Sequence, residues 1–261
     1  MAPPNRPAPR QLTVMSKQFV SPNMVRVTLG GEGLDGFPAD QQGGYIKLNL
    51  PNPDKPGKML VRTYTIRAQR AGRKTGEIDV DFALHADTAT GHAGPATQWA
   101  IAAQAGDTIP VGGPGPAKPL PDTADFYLVA GDMTALPAIA VNLAALPATA
   151  RGFVAIEVMS QDDRIELDTP EGVEIHWLVN PQPGSQPDLL AEALRTRGWP
   201  EGQIHAWVAA EFSAMKALRT YLKDERQLGP EQLYISSYWK SGLNEDAHKL
   251  AKREDAQANA G

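Results

Sequence analysis

The sequence predicts two domains in series: an antiparallel β-barrel over residues 1–121, then a doubly wound, parallel-sheet α/β domain over residues 122–261. Three observations carry this. Short strand-like runs follow one another at even spacing in the first half, separated by Gly, Pro, Asn and Asp clusters, as in antiparallel barrels. A Gly/Pro-rich stretch, Gly112–Pro121, has the composition of a connector. Beyond it, strand-like and helix-like runs alternate, which is the signature of a parallel sheet. At 261 residues the chain can bury two cores of moderate size.

The first ten residues, MAPPNRPAPR, are Pro-rich and lack an apolar run, so they are not read as a secretory signal. Strands are expected at Gln11–Met15, Met24–Leu29, Tyr45–Leu50, Val61–Arg67 and Glu77–Leu84. In the last of these, Ile78, Val80, Phe82 and Leu84 alternate with Glu77, Asp79, Asp81 and Ala83, which predicts one face on a core and the other in water. In YIKLNL, Ile46, Leu48 and Leu50 should point inward, with Tyr45, Lys47 and Asn49 opposite; Lys47 reads equally as an ordinary solvated lysine.

Val61-Arg62-Thr63-Tyr64-Thr65-Ile66-Arg67 is rich in β-branched and aromatic residues. Period-2 geometry puts Arg62 and Tyr64 on one face, about 7 Å apart, and Thr63 and Thr65 on the other. A guanidinium beside a phenol ring suits a ligand with an anionic group next to a flat aromatic system, the shape of a flavin dinucleotide. Thr65 could offer hydroxyl and N–H at the ring edge. The same residues also suit a plain amphipathic edge strand. Gly94-Pro95-Ala96-Thr97 opens a helix with Pro at an early position; its unpaired N–H groups could seat a pyrophosphate, or the helix could simply cap the barrel. His85 follows a strand directly and reads first as a hydrogen-bonded strand end.

In the second half, strands are expected at Phe126–Ala130, Phe153–Val158, Val173–Val179, Ala206–Ala210 and Leu233–Ser236, with helices at Thr134–Leu146, Pro187–Arg197 and Ser213–Lys223. Ligands of such sheets bind beyond the carboxyl ends of the strands. Ala130-Gly131-Asp132-Met133-Thr134 and Ala209-Ala210-Glu211-Phe212-Ser213 lie at two such ends, with Ser213 as an expected N-cap. There is no GxGxxG, and spacing alone makes these ordinary strand-to-helix turns. In Ser160–Arg164, Asp162 or Asp163 suits a ribose hydroxyl and Arg164 a 2′-phosphate, so NADH and NADPH are not distinguished. The tail, Leu243–Gly261, reads as a surface helix with Glu245 and Lys249 at i,i+4.

Composition excludes much. The net charge of −5 argues against nucleic acid and against polybasic membrane binding. With no Cys there is no thiolate catalysis, disulfide, iron–sulfur cluster or Cys-ligated zinc, so redox chemistry must come from a bound cofactor. No run approaches the length of a membrane span. A cytoplasmic, monomeric protein is expected.

VRTYTIR, with DFALH (Asp81–His85), GPATQWA (Gly94–Ala100), GGPGP (Gly112–Pro116), AGDMTALPAI (Ala130–Ile139), WVAAEFSAMKALR (Trp207–Arg219) and YWKSG (Tyr238–Gly242), resembles the siderophore-interacting, ferric-siderophore reductase branch of the ferredoxin-reductase superfamily, in order and over nearly the whole chain. The resemblance implies that electrons pass from NADH or NADPH through FAD to Fe(III) held in a siderophore, with no protein ligands to the metal. It implies Arg62, Thr63, Tyr64 and Thr65 on the flavin, with Tyr64 and Thr65 at its reactive ring. His85 would stand near the flavin and Gly94, Pro95, Ala96 and Thr97 at its pyrophosphate. Asp132, Thr134, Ala135 and Glu211 would belong to the nicotinamide side, and Tyr238 and Trp239 would lie beside the flavin ring. Lys47, Lys118 and Lys240 are the candidates for a basic pocket that meets an anionic chelate. Ala210 departs from the Gly common in the family. The C-terminal extension is one that in the family can lie over the active site. Two rival readings remain: a general NAD(P)H–flavin oxidoreductase with a protein acceptor, and a non-catalytic siderophore carrier that keeps flavin structurally.

Overall fold

The structure, a computed structural model, describes residues 8–52, 55–71, 76–84, 94–243 and 245–258. His85 lies outside them, as do the side chains of Glu245 and Lys249. The chain divides into two compact units: one runs through Val20, over Met24–Leu84 and on to Lys118; the other takes in Ser21–Asn23 and Pro119–Gly261.

The first unit contains β1 (Arg10–Ser21), β2 (Met24–Gly30), β3 (Tyr45–Pro51), β4 (Met59–Thr65), β5 (Ala68–Arg70), β6 (Glu77–Ala83), α1 (Pro95–Ala102) and β7 (Thr108–Gly115). These strands form one seven-stranded sheet in the order β4-β3-β7-β1-β2-β6-β5. Pairs β3–β4, β3–β7, β1–β7, β2–β6 and β5–β6 are antiparallel. The chain leaving β4 meets β6, where Arg67 N donates to Asp79 O at 2.8 Å, and this curls the sheet into a barrel. The period-2 pattern of β3 holds: Ile46, Leu48 and Leu50 are buried and alternate with half-buried Tyr45, Lys47 and Asn49. α1 buries Ala96, Ala100 and Ala103 in the barrel core.

Two expectations need correction here. Gly112–Gly115 is not connector: it ends β7, an inner strand between β3 and β1. Glycine is needed there because a Cβ on Gly115 would stand 2.0 Å from the Tyr45 ring, which lies against it. The polar face of β6 does not meet water either. Asp79 and Asp81 are 4% and 6% exposed, and Arg26, Arg70 and Thr28 satisfy them. Alternation reveals two faces but not whether the polar one is solvated or ion-paired.

The second unit contains β8 (Phe126–Asp132), α2 (Leu136–Ala144), β9 (Gly152–Val158), β10 (Val173–Val179), α3 (Leu189–Arg197), β11 (Ile204–Glu211), α4 (Phe212–Arg219), β12 (Leu233–Trp239) and α5 (Glu245–Ala258). Its strands are all parallel, in the order β10-β9-β8-β11-β12. The order reverses between β8 and β11, which makes their carboxyl ends the topological switch point of a doubly wound sheet. Gly131 sits there because a Cβ would meet Ala209 O at 2.6 Å and the side chains of Ala135 and Ile139 at 2.9 Å. α2 therefore packs flush on the sheet. α4 passes into a π-helical turn over Thr220–Glu225. α5 is tied down by Arg219 to Asp255, by Lys252 Nζ to Ser236 Oγ at 2.8 Å, and by a buried Ser237–His248 contact of 2.8 Å.

Candidate functional site

In the barrel, the pairing of Leu48 with Arg62 and of Ile46 with Tyr64 puts Arg62 and Tyr64 on the face that looks toward the core, while Lys47 pairs with Thr63 and Tyr45 with Thr65 on the other. Tyr64 packs on Phe82 with ring centroids 4.3 Å apart, and Phe82 meets Trp99 of α1 at 5.7 Å. Arg62 Nη1 donates to its neighbour Val61 O at 3.0 Å. α1 begins at Gly94 in extended conformation with Pro95 in its first turn, and among the described residues no side chain caps it. Ala96 and Thr97, in that first turn, are buried. The donor set fits a flavin dinucleotide: a guanidinium and an uncapped helix start for the pyrophosphate, a tyrosine ring for the flat system, and threonine hydroxyls at its edge. Lys47 lies alongside Gly112, and Lys118 is exposed at the end of this unit.

In the parallel sheet, the residues at the switch point hold one another. Asp132, 6% exposed, accepts from Thr134 N at 2.9 Å and from the Thr134 hydroxyl through Oδ1, and from Glu211 N and Trp239 Nε1, each at 2.8 Å, through Oδ2. One carboxylate thus ties together the ends of β8, β11 and β12. Glu211 caps α4 by accepting from Ser213 N and Ala214 N, and its other oxygen accepts from Ser241 N at 3.1 Å. The N-cap is therefore Glu211 rather than Ser213, whose N–H is one of the groups being capped. Ala210 is fully buried in the core, and the strand pairing shifts register immediately after it.

Sequence reasoning missed Glu157 and Asn180. Glu157 ends β9 directly opposite Asp132 and is 6% exposed. It accepts from Asn180 Nδ2 at 2.8 Å, while Asn180 Oδ1 accepts from Gln182 N, Ser185 Oγ and Gln186 Nε2 and so folds the loop after β10. That loop reaches across the strand ends, where a Cβ on Gly184 would meet Glu211, Ser241 and Trp239 within 3.5 Å. Burial, and then the charge of Asp132, pushes the Glu157 carboxyl up to about 7. The available signal was a lone acid ending an otherwise apolar parallel strand.

Asp163 is fully buried and accepts from Ser21 Oγ, Asn23 N and Asn23 Nδ2, each at 2.8 Å, so it is not open to a ribose. Asp162 and Arg164 are exposed. Lys240 lies over the Phe212 ring at 4.4 Å. Burial, with Tyr234 alongside, pushes the Tyr238 phenol well above its usual range. Among the described residues no group of His, Asp and Glu is arranged to hold a metal ion, and no helix is long and apolar enough to cross a membrane.

A curled antiparallel sheet followed by a doubly wound parallel one is the architecture of the ferredoxin-reductase class. The fold matches ferredoxin-NADP+ reductase from Plasmodium falciparum with a TM-score of 0.62 at 12% identity, covering 86% of this chain and 93% of that one. The family models for the siderophore-interacting FAD-binding domain match residues 13–60 and 55–118, and that for the siderophore-interacting protein matches residues 124–242. The ferric vibriobactin reductase ViuB of Vibrio cholerae is 37% identical over 92% of each chain. The siderophore-interacting protein SipS of Aeromonas hydrophila superposes with a TM-score of 0.82 at 34% identity, over 98% of this chain and 100% of that one. The chain belongs to the siderophore-interacting protein family, and its first unit contains that family's FAD-binding domain.

Proposed function

We propose that the protein is an FAD-dependent ferric-siderophore reductase that takes electrons from NADH or NADPH and delivers them to chelated Fe(III), releasing Fe(II). The observation that carries this is the 37% identity, along nearly full length, to a protein named as a ferric vibriobactin reductase. The residues supply the chemistry such a reaction needs. FAD, when bound, accepts an electron pair from a nicotinamide and passes electrons on singly. Arg62 and the start of α1 hold its pyrophosphate, Tyr64 and Thr65 flank its ring, and Thr63 lies on the neighbouring face. On the nicotinamide side, the network of Asp132, Thr134, Ala135 and Glu211 shapes the crevice, and Tyr238 and Trp239 line it.

Iron enters and leaves as substrate. Reduction weakens its hold on hard oxygen donors, which is how release follows electron transfer. Lys47, Lys118 and Lys240 read the negative charge of the chelate. The first unit ends near residue 121 as the flavin domain, and the remainder serves the nicotinamide. The protein acts in the cytoplasm as a monomer. The test is anaerobic: NADH or NADPH should bleach the yellow protein, and a ferric siderophore should restore the colour. A protein that stays yellow is a carrier. One that bleaches but is reoxidised only by a protein acceptor is a general flavin reductase.

A further inference from the structure

Beside the proposed pyrophosphate seat lies a cavity of about 300 Å³ at one rim of the barrel. Its walls include Asn49 and Leu50 late in β3, Met59 at the start of β4, Trp99 of α1, and Thr108 and Pro110 at the start of β7. Building on the FAD reading above, we propose that this cavity seats the adenine of FAD, with Trp99 as the ring on which it stacks.

The direction follows from the strand. A dinucleotide pinned at Arg62 with its flavin on Tyr64 must send its adenosine half the opposite way along β4. Met59 lies three residues back from Arg62, about 10 Å at the rise of a β-strand. The helix points to the same place. Trp99 stands four residues beyond Pro95, about 6 Å along α1 and one turn past the N–H groups that would meet the phosphates. Both grips on the pyrophosphate thus lead to one cavity.

The cavity suits the group chemically. Leu50, Met59, Trp99 and Pro110 give apolar walls for a flat heterocycle, and Phe82, packed on Trp99, braces the ring. Asn49 donates its amide N–H to Pro110 O at 3.2 Å, which turns the amide oxygen into an acceptor for an exocyclic amine. The volume is at the small end of ligand pockets: room for one heteroaromatic group rather than for a ferric chelate.

The test uses the full-length protein stripped of flavin and titrated with FAD and with FMN, which lacks the adenylate, following flavin fluorescence. The wild type should bind FAD at least about tenfold more tightly than FMN. Trp99→Ala should weaken FAD by roughly tenfold and leave FMN within about twofold, with Trp99→Phe restoring most of the loss. Thr108→Phe, at an exposed position on the cavity wall, should show the same selective loss by filling the space, without touching the barrel core. Equal affinity of the wild type for both flavins, or equal losses of both flavins in both variants, would overturn the adenine assignment. Binding of neither flavin to the wild type would overturn the flavin reading itself, and the inference with it.

Discussion

Asp79 and Asp81 in the barrel and Asp132, Glu157 and Glu211 in the sheet unit are all less than a tenth exposed, and they are held by opposite means. In the barrel the partners are cations: Arg26 forks onto Asp81 at 2.6 and 2.8 Å, and Arg70 onto Asp79. Burial alone would raise the Asp79 carboxyl, but Arg70 and Thr28 outweigh it and hold it below its usual 3.8. In the sheet unit the partners that hold the three acids are neutral N–H and O–H groups of the backbone, Thr134, Trp239 and Asn180. Neutral donors can satisfy lone pairs without cancelling charge, and Glu157, last in line, rises to about 7. Buried acids in the barrel act as ion-pair struts; those at the sheet's carboxyl edge form a charged, shaped crevice, the kind of site where ligands of such sheets bind.

The largest effect should come from removing the hub of the neutral network. Asp132→Ala leaves the Trp239 indole, the Glu211 N–H and the Thr134 N–H and hydroxyl without their acceptor, and should cost roughly 3–5 kcal/mol of unfolding free energy in urea titration. A loss below about 1 kcal/mol would mean that these donors find water easily, so that the network does not hold the strand ends.

The two clusters should also respond oppositely to pH. Glu157 keeps its proton in the fold where the unfolded chain has lost it, so its contribution falls as pH rises from 4.5 to about 7 and then levels off. The whole fall is at most roughly 3 kcal/mol. Asp79 is depressed, so its stabilisation is present above 3.8 and fades as pH drops through its lower folded value. Glu157→Gln should remove the descending limb between pH 4.5 and 7 while leaving the acid-side loss in place. An unchanged limb in that variant assigns the titration to another group.

Arg26→Ala should cost about 2 kcal/mol, less than a fully buried pair because Arg26 is partly exposed, whereas replacing both partners by Met and Leu should recover most of it. If the double replacement is as damaging as the single one, packing rather than charge dominates there. The smallest effects belong to the surface cations. Lys47→Ala and Lys240→Ala should each weaken an anionic ferric catecholate by about 0.5–1 kcal/mol and flatten its salt dependence, with little change for a neutral hydroxamate. Equal losses for both chelates would make these lysines shapers of their surfaces rather than readers of charge.

The barrel was legible because its strands alternate: Ile46, Leu48 and Leu50 against Tyr45, Lys47 and Asn49 leave little choice of face. The pairing of Arg62 and Tyr64 on one side followed from the same period. What escaped were features set by partners distant in sequence. Gly112–Gly115 has the composition of a loop and becomes an inner strand because β3 and β1 close on both sides of it. Asp81 depends on Arg26, and Asp132 on Trp239, 107 residues away. Glu157 escaped because a single acid in FVAIEV carries no period. Its meaning comes only from standing beside Asp132 across a parallel pair.

The reductase reading is tested most directly by counting iron. The flavin-loaded protein, reduced anaerobically with one equivalent of NADH or NADPH, is mixed with excess ferric catecholate siderophore and an Fe(II)-specific chromogenic chelator. The account predicts about two Fe(II) per flavin, since a nicotinamide delivers an electron pair and each Fe(III) takes one, with the flavin spectrum returning to its oxidised form. A flavin that stays reduced while no Fe(II) forms would contradict it.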